Sequence, residues 1–232
     1  MKILVDNSVL HHALEHKGSW ESKGTVMWGG KNGIPVETGR LISKENRNFI
    51  KETKGGPQGG YLASLALSYK RGEWEPHTSD AMKFENIHRK INRNYGDFSW
   101  FEELTYINHV TLDDFSIALS TGEKPINQFR AYLNSNVNQK YINIRSALES
   151  CGAKKSSQDA WHIHCVNSLG LDKFLTCDVK LIGQIKSIKD KHIRQKIENI
   201  VCLPSDLCKI LMLGEATEPE REDLKAKFGF FI

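Results

Sequence analysis

Four acidic side chains stand at positions along the chain that could assemble a site for a divalent cation: Asp6, Glu85, Asp159 and Asp178. Asp6 follows the apolar residues 3–5, and Asp178 follows the largely apolar residues 174–177. Short apolar runs are typical of buried strands, and ligands of open α/β sheets bind at the carboxyl ends of the strands. Carboxylates gathered there repel one another without a cation, and hard oxygen ligands suit Mg²⁺ or Mn²⁺. The sequence therefore predicts a magnesium or manganese site.

Each of these acids also has a structural interpretation. Asp6 or Asp178 could cap the helix that follows it, and Asp159 could be an acid favoured by the dipole in the first turn of its helix. Glu85 competes for its place in the site with four other acidic residues: Glu102, Glu103, Asp113 and Asp114. The placement of the first and last acids after strands favours metal binding over capping.

The elements that position these acids alternate between strands and helices. Apolar runs predict strands over residues 2–5, 173–177 and 200–203, and residues 73–78 predict an edge or imperfect strand because Pro76 cannot donate to a ladder. Helical spacing of apolar residues predicts helices over residues 8–16, 61–70, 79–88, 127–133, 141–151, 156–170, 181–189 and 207–212. This alternation predicts a three-layer α/β/α domain with a central, mostly parallel sheet.

Residues 17–60 differ from the rest of the chain in being rich in glycine. Residues 25–28 and 34–36 are separated by Gly29, Gly30, Lys31, Asn32 and Gly33, and this pattern predicts a β-hairpin. A loop of this length without structure is unusual in a compact domain. We therefore interpret residues 17–60 as a hairpin or arm inserted in a single domain that spans residues 1–232.

The composition is that of an ordinary globular protein, with 39% hydrophobic and 26% charged residues. The formal net charge of +4 is compatible with a polyanionic substrate but does not identify one. Six basic side chains fall within residues 186–196: Lys186, Lys189, Lys191, His192, Arg194 and Lys196. They form either a solvated helix face or a surface that contacts phosphate, and the sequence leaves both interpretations open.

The cysteines and histidines give no zinc motif. The five cysteines include no CxxC pair, which excludes zinc ribbons and thioredoxin-like motifs. His162 and His164 are two residues apart on a predicted helix, so they point to different faces and cannot bind one ion together. No apolar run approaches the roughly 18 residues that span a bilayer, and Met1 and Lys2 lead directly into a strand without a signal peptide. We expect a cytoplasmic protein with reduced thiols and no membrane association.

Taken in order, several segments resemble the PIN-domain nuclease superfamily, which includes the toxin halves of many bacterial toxin–antitoxin pairs. Residues 3–10 (ILVDNSVL) are similar to the opening strand with its first metal-ligand aspartate and a small hydroxyl residue. Residues 74–85 resemble the strand, serine and helix that present a glutamate, and residues 159–163 resemble the start of the third-acid helix. Residues 174–178 resemble the fourth motif, with Thr176 two residues before the aspartate, and residues 199–210 resemble the closing strand, proline and helix. The matched segments cover roughly half of the chain, and residues 17–60 and 92–138 exceed the usual length of the family domain.

The resemblance implies a metal-dependent endoribonuclease. Asp6, Glu85, Asp159 and Asp178 would hold one or two Mg²⁺ or Mn²⁺ ions, and a metal-bound water would attack an RNA phosphodiester. Ser8 and Thr176 would fix the orientation of the carboxylates. RNA is the substrate that the resemblance implies, and an antitoxin protein or further copies of the chain are partners that it allows.

Two other functions are compatible with parts of this pattern. A non-catalytic PIN-like module would bind RNA or a protein, but bare carboxylates hinder nucleic-acid binding, so the four acids favour the nuclease. A phosphatase-like hydrolase usually has Asp-x-Asp after its first strand, whereas Ser8 stands two residues beyond Asp6 here. We therefore expect a ribonuclease, with the binding module as the alternative.

Overall fold

The structure, a computed structural model, describes residues 1–12, 16–29, 33–45, 59–79, 81–82, 108–110, 125–153 and 156–220. Glu85 and its four competitors lie outside the described residues. In chain order the elements are β1 (Lys2–Val5), α1 (Asn7–His12), β2 (His16–Trp28), β3 (Ile34–Glu45), α2 (Gly59–Lys70), β4 (Glu75–Ser79), β5 (Asn108–Val110), α3 (Pro125–Ser135), α4 (Gln139–Ser150), α5 (Ser156–Ser168), β6 (Lys173–Leu175), α6 (Val179–Lys186), α7 (Lys191–Glu198), β7 (Val201–Cys202) and α8 (Pro204–Ile210).

A five-stranded parallel sheet in the order β5-β4-β1-β6-β7 forms the centre of the fold. From β1 the chain proceeds outward through β4 and β5 on one side, and it then returns to place β6 and β7 on the other side. The strand order therefore reverses between β1 and β6. This arrangement confirms the predicted α/β class with a mostly parallel sheet.

The two faces of the sheet contact different helical layers, because successive side chains of a strand point to opposite faces. Ile3 and Val5 pack in one apolar cluster with Leu65 of α2 and Leu207 of α8. Leu4 packs in the other cluster, which the helices α3 to α7 supply. Ile3, Leu4 and Val5 are each at most 1% exposed, and full burial of such a side chain contributes about 1.5–3 kcal/mol to the stability of the fold. The predicted three-layer α/β/α architecture is confirmed.

The strand β4 is interior, so of the two alternatives predicted at Pro76, an edge strand or an imperfect strand, the edge strand is wrong. It pairs with β1 on one side and with β5 on the other. The Glu75 N–H points toward the β1 side and donates to Met1 O at 2.8 Å. Because the backbone groups of successive residues in a strand point to alternate sides, the backbone nitrogen of Pro76 faces β5. Pairing with β5 begins only at His77, one residue later, so the missing Pro76 donor leaves no gap in the described ladder.

The strands β2 and β3 form a separate two-stranded antiparallel sheet. The predicted hairpin pairing is present, with Trp28 opposite Ile34 and Val26 opposite Val36, and it extends from His16 to Glu45. The register shifts at Gly24, whose φ of +108° is one that glycine adopts readily. No helix in the described ranges is both long enough and apolar enough to cross a membrane.

Candidate functional site

The candidate site lies where the strand order reverses. β1 and β6 are parallel neighbours with Val5 opposite Leu175, and the Asp6 N–H donates to Leu175 O at 2.9 Å. The carboxyl ends of the two strands therefore lie side by side, as predicted. In open α/β sheets, ligands bind at the carboxyl ends of the strands where the strand order reverses.

Two hydroxyl groups orient the carboxylate of Asp6, which directly follows β1. Ser8 Oγ donates to Asp6 Oδ2 at 2.5 Å, and Thr176 Oγ1 donates to the same oxygen at 2.7 Å. The hydroxyls are themselves oriented by backbone donors, since Cys177 N–H donates to Ser8 Oγ at 2.9 Å and Asp178 N–H donates to Thr176 Oγ1 at 3.0 Å. Each hydroxyl therefore accepts from the backbone and directs its single proton at Asp6.

This arrangement leaves one Asp6 oxygen for another ligand. Both hydroxyls bind Oδ2, and within the described part of the chain Oδ1 accepts no hydrogen bond. Asp6 as a whole is half-buried. The predicted roles of Ser8 and Thr176, orienting the first carboxylate, agree with these contacts.

Asp178 caps α6, so the structural interpretation of this residue is correct as far as it goes. Its Oδ1 accepts from Lys180 N–H at 2.9 Å and from Leu181 N–H at 3.0 Å. The residue is exposed, and its second oxygen takes no part in the cap. The Thr176 hydroxyl contacts the Asp6 carboxylate and the backbone N–H of Asp178, so the backbone of Asp178 lies near Asp6. Capping and metal binding are compatible, since an ionised carboxylate has about four acceptor positions.

Asp159 lies in the first turn of α5 and is half-buried. Because α5 leads into β6, this turn is at the end of the helix nearer the carboxyl edge of the sheet. Among the described residues, however, no three His, Cys, Asp or Glu side chains are close enough to hold one ion. The structure thus places the backbone of Asp178 near the Asp6 carboxylate, and a shared metal site of Asp6, Asp178, Asp159 and Glu85 stays a prediction.

The donors of this site fit a hard divalent cation. Mg²⁺ is commonly bound by one or two carboxylates, with waters and substrate phosphates completing its octahedron. Asp6 and Asp178 follow the ends of adjacent strands, and hydrogen bonds hold the Asp6 carboxylate in one orientation. Carboxylate oxygens suit Mg²⁺ or Mn²⁺, whereas thiolate and imidazole ligands suit zinc.

Asn7 is a site neighbour that the sequence interpretation did not single out. It is 2% exposed, and its Nδ2 donates to Met82 O at 2.9 Å. Met82 N–H in turn donates to Ser79 Oγ at 3.4 Å, at the start of the helix predicted over residues 79–88. The Asn7 side chain, directly after Asp6, therefore forms a hydrogen bond with Met82, three residues before Glu85 in the sequence. The sequence signal for this role of Asn7 is its position as a polar amide directly after Asp6.

The two histidines of α5 pack in different surroundings, as predicted for residues two apart. His162 is buried beside Phe174, with ring centroids 5.5 Å apart. His164 is buried against Trp161 and Tyr141, at 5.5 and 6.2 Å. Burial, together with a nearby lysine, lowers the pKa of His164, so the ring is neutral at pH 7. These contacts assign the histidines to packing.

Comparisons of the chain with protein-family models, with curated proteins and with solved structures gave no significant match. The geometry of the site and the sequence resemblance therefore carry the functional argument.

Proposed function

We propose that the protein is a metal-dependent ribonuclease whose site is built around Asp6. The observation that carries the proposal is the Asp6 carboxylate, held by Ser8 and Thr176 where the strand order reverses, with Asp178 beside it. Ser8 and Thr176 both donate to one Asp6 oxygen, and within the described residues the other oxygen accepts no hydrogen bond, which supports a role for this carboxylate as a ligand.

The proposed roles follow from these contacts. Asp6 and Asp178 would hold Mg²⁺ or Mn²⁺, and Asp159 and Glu85 would complete the acidic set. A divalent ion bound there would neutralise charge on the transferring phosphoryl group and make water more acidic. Ser8 and Thr176 keep Asp6 in one rotamer, which avoids reorganisation during the reaction. The choice of RNA as substrate, like an antitoxin partner, comes from the resemblance to PIN domains.

The direct test is cleavage of RNA by the purified protein. Total RNA is incubated with Mg²⁺, with Mn²⁺ and with EDTA, and products are resolved on a denaturing gel. We expect cleavage with either ion, none in EDTA, and loss of cleavage in Asp6→Asn, whose amide oxygen can still accept both hydroxyl bonds.

A matched control is available in Asp190→Asn. Asp190 caps α7 through a hydrogen bond from Ile193 N–H at 3.0 Å and is exposed, so it resembles Asp178 as a cap but follows a helix instead of a strand. We expect full activity in this variant. Cleavage that persists undiminished in Asp6→Asn would refute the proposal, and RNA binding without cleavage by the wild type would support the non-catalytic module instead.

A further inference from the structure

A cleft with a cavity volume of about 350 Å³ lies between α4, α5 and α7, away from the Asp6 site. Its polar lining comes from all three helices: Lys140, Asn143, Asn167, Ser168, His192 and Lys196. Asn167 and Ser168 are at the last turn of α5, whereas Asp159 is in its first turn. With a rise of 1.5 Å per residue, the two ends are about 12 Å apart along the helix. The cleft is therefore a separate place on the molecule.

The cleft concentrates positive charge. Lys140 of α4 and Lys196 of α7 line it together with His192, and no acidic side chain is among the lining residues. Like charges that face one another across a concave surface raise the local potential, and an anion bound between them relieves the repulsion. The field of Lys140 also reaches inward, since it contributes, after burial, to the lowered pKa of His164.

The remaining lining groups match an organic phosphate. Asn143 Oδ1 accepts from Gln139 Nε2 at 2.7 Å, which orients the amide so that its N–H₂ group remains a donor. Asn167 donates its amide to Ile163 O at 3.4 Å, which leaves its carbonyl oxygen as an acceptor for a hydroxyl. Three isoleucines supply an apolar wall. The volume lies at the lower end of the range for small-molecule sites, about 300–1,000 Å³.

We propose that this cleft binds the phosphate monoester of a nucleotide-sized ligand, with Lys140 and Lys196 on the phosphate and Asn143 donating to it. The terminal phosphate belongs either to a free mononucleotide or to the 5′ end of an RNA. The proposal is independent of the ribonuclease activity, because the cleft contains none of the acids assigned to the metal site.

The test is calorimetric titration of the full chain in EDTA, which removes divalent ions from the Asp6 site. The probes are inorganic phosphate, AMP, adenosine, and one short oligoribonucleotide with either a 5′-phosphate or a 5′-hydroxyl. We expect saturable binding of phosphorylated probes that weakens with salt, and adenosine and the 5′-hydroxyl RNA should bind at least about tenfold more weakly. AMP that binds as tightly as the phosphorylated RNA identifies a free nucleotide, and RNA that binds at least tenfold more tightly identifies an RNA end.

Substitutions then locate the binding. The double substitution Lys140→Gln and Lys196→Gln should weaken binding at least about tenfold, since it removes both charge-assisted contacts. Lys189→Gln is the matched control: Lys189 is an exposed lysine of the same basic run that does not line the cleft, and it should change nothing. Asp6→Asn should bind normally, so a failure of the ribonuclease proposal leaves this one standing.

Three results would overturn the inference. They are the absence of saturable binding by every phosphorylated probe, equal binding of adenosine and AMP, and equal losses in the double variant and in Lys189→Gln. All three lysines are exposed, so the variants should fold as the wild type does, and thermal melting checks this.

Discussion

Replacement of Thr176 by valine should destabilise the fold and the site together. The side chain is fully buried, and its hydroxyl joins the Asp6 carboxylate to the backbone N–H of Asp178. Valine keeps the volume and the branching at Cβ but removes both hydrogen bonds. Asp6 keeps its bond from Ser8, whereas the part-buried Asp178 N–H loses its acceptor.

The magnitude follows from the two lost bonds. A hydrogen bond to a charged group is worth about 1.5–3 kcal/mol and one between neutral groups about 1 kcal/mol, so the variant should lose about 3 kcal/mol in free energy of unfolding. For a chain of this size each kcal/mol lowers Tm by about 2–4 °C, which gives a decrease of about 6–12 °C. If the site binds metal, loss of an orienting partner should lower activity or metal affinity by about 10–100-fold.

Urea denaturation and thermal melting of the metal-free protein measure the stability, and RNA cleavage measures the activity. Thr176→Ser is the control, because it keeps the hydroxyl and removes one buried methyl group at a cost of about 1 kcal/mol. We expect the serine variant to retain most activity. A valine variant as stable as the wild type would refute the hydrogen-bond geometry, and a destabilised but fully active one would show that the cluster is structural.

Three further predictions concern other parts of the molecule. Asp178→Asn should keep the cap of α6 and the stability but lose Mn²⁺ affinity in calorimetry, and normal Mn²⁺ binding by this variant would show that the residue only caps. Asp178→Ala should in addition lose about 1 kcal/mol in free energy of unfolding, measured by denaturation. The pKa of His164 is lowered below the ordinary 6.5, so the stability that its neutral ring contributes is present above pH 6.5 and is lost as the pH falls below 6.5. His164→Phe should therefore flatten the dependence of the unfolding free energy on pH below 6.5, and an unchanged slope would contradict the lowered pKa. Cys151 is half-exposed, whereas burial raises the pKa of Cys202 and Cys208 to about 12, so a thiol reagent should modify Cys151 first in the native protein. Mass spectrometry of the labelled peptides measures the order of modification, and earlier modification of Cys208 would contradict its burial.

Local patterns were sufficient for the class of the fold. The apolar residues before Asp6 predict a buried strand because a strand of a parallel sheet has both faces covered. The hairpin around Gly29 was also predictable, since glycines between two β-forming runs indicate a turn. Caps were predictable where an acid or a serine precedes a helical pattern, as at Asp178 and at Ser79 before Met82.

The end of β6 shows where local patterns fail. The sequence predicts a strand over residues 173–177, but β6 ends at Leu175. Thr176 N–H still donates to Cys202 O at 3.1 Å, whereas Cys177 and Asp178 use their backbone donors on the hydroxyls of Ser8 and Thr176. Ser8 is 169 positions away from Cys177, so this competition for the backbone is invisible in the local sequence.

The sequence alone indicated the α/β class, most of the helices and strands and the acids that follow strands, because these properties depend on periodicity over a few residues. Only the tertiary structure decided that β4 is interior, that the strand order reverses at β1 and β6, and that the Thr176 hydroxyl joins the Asp6 carboxylate to the Asp178 backbone N–H. It also decided that lysines of α4 and α7 line one cleft. The physical reason is that strand order and helix packing are set by contacts between residues far apart in the chain, which the periodicity of any one segment does not encode.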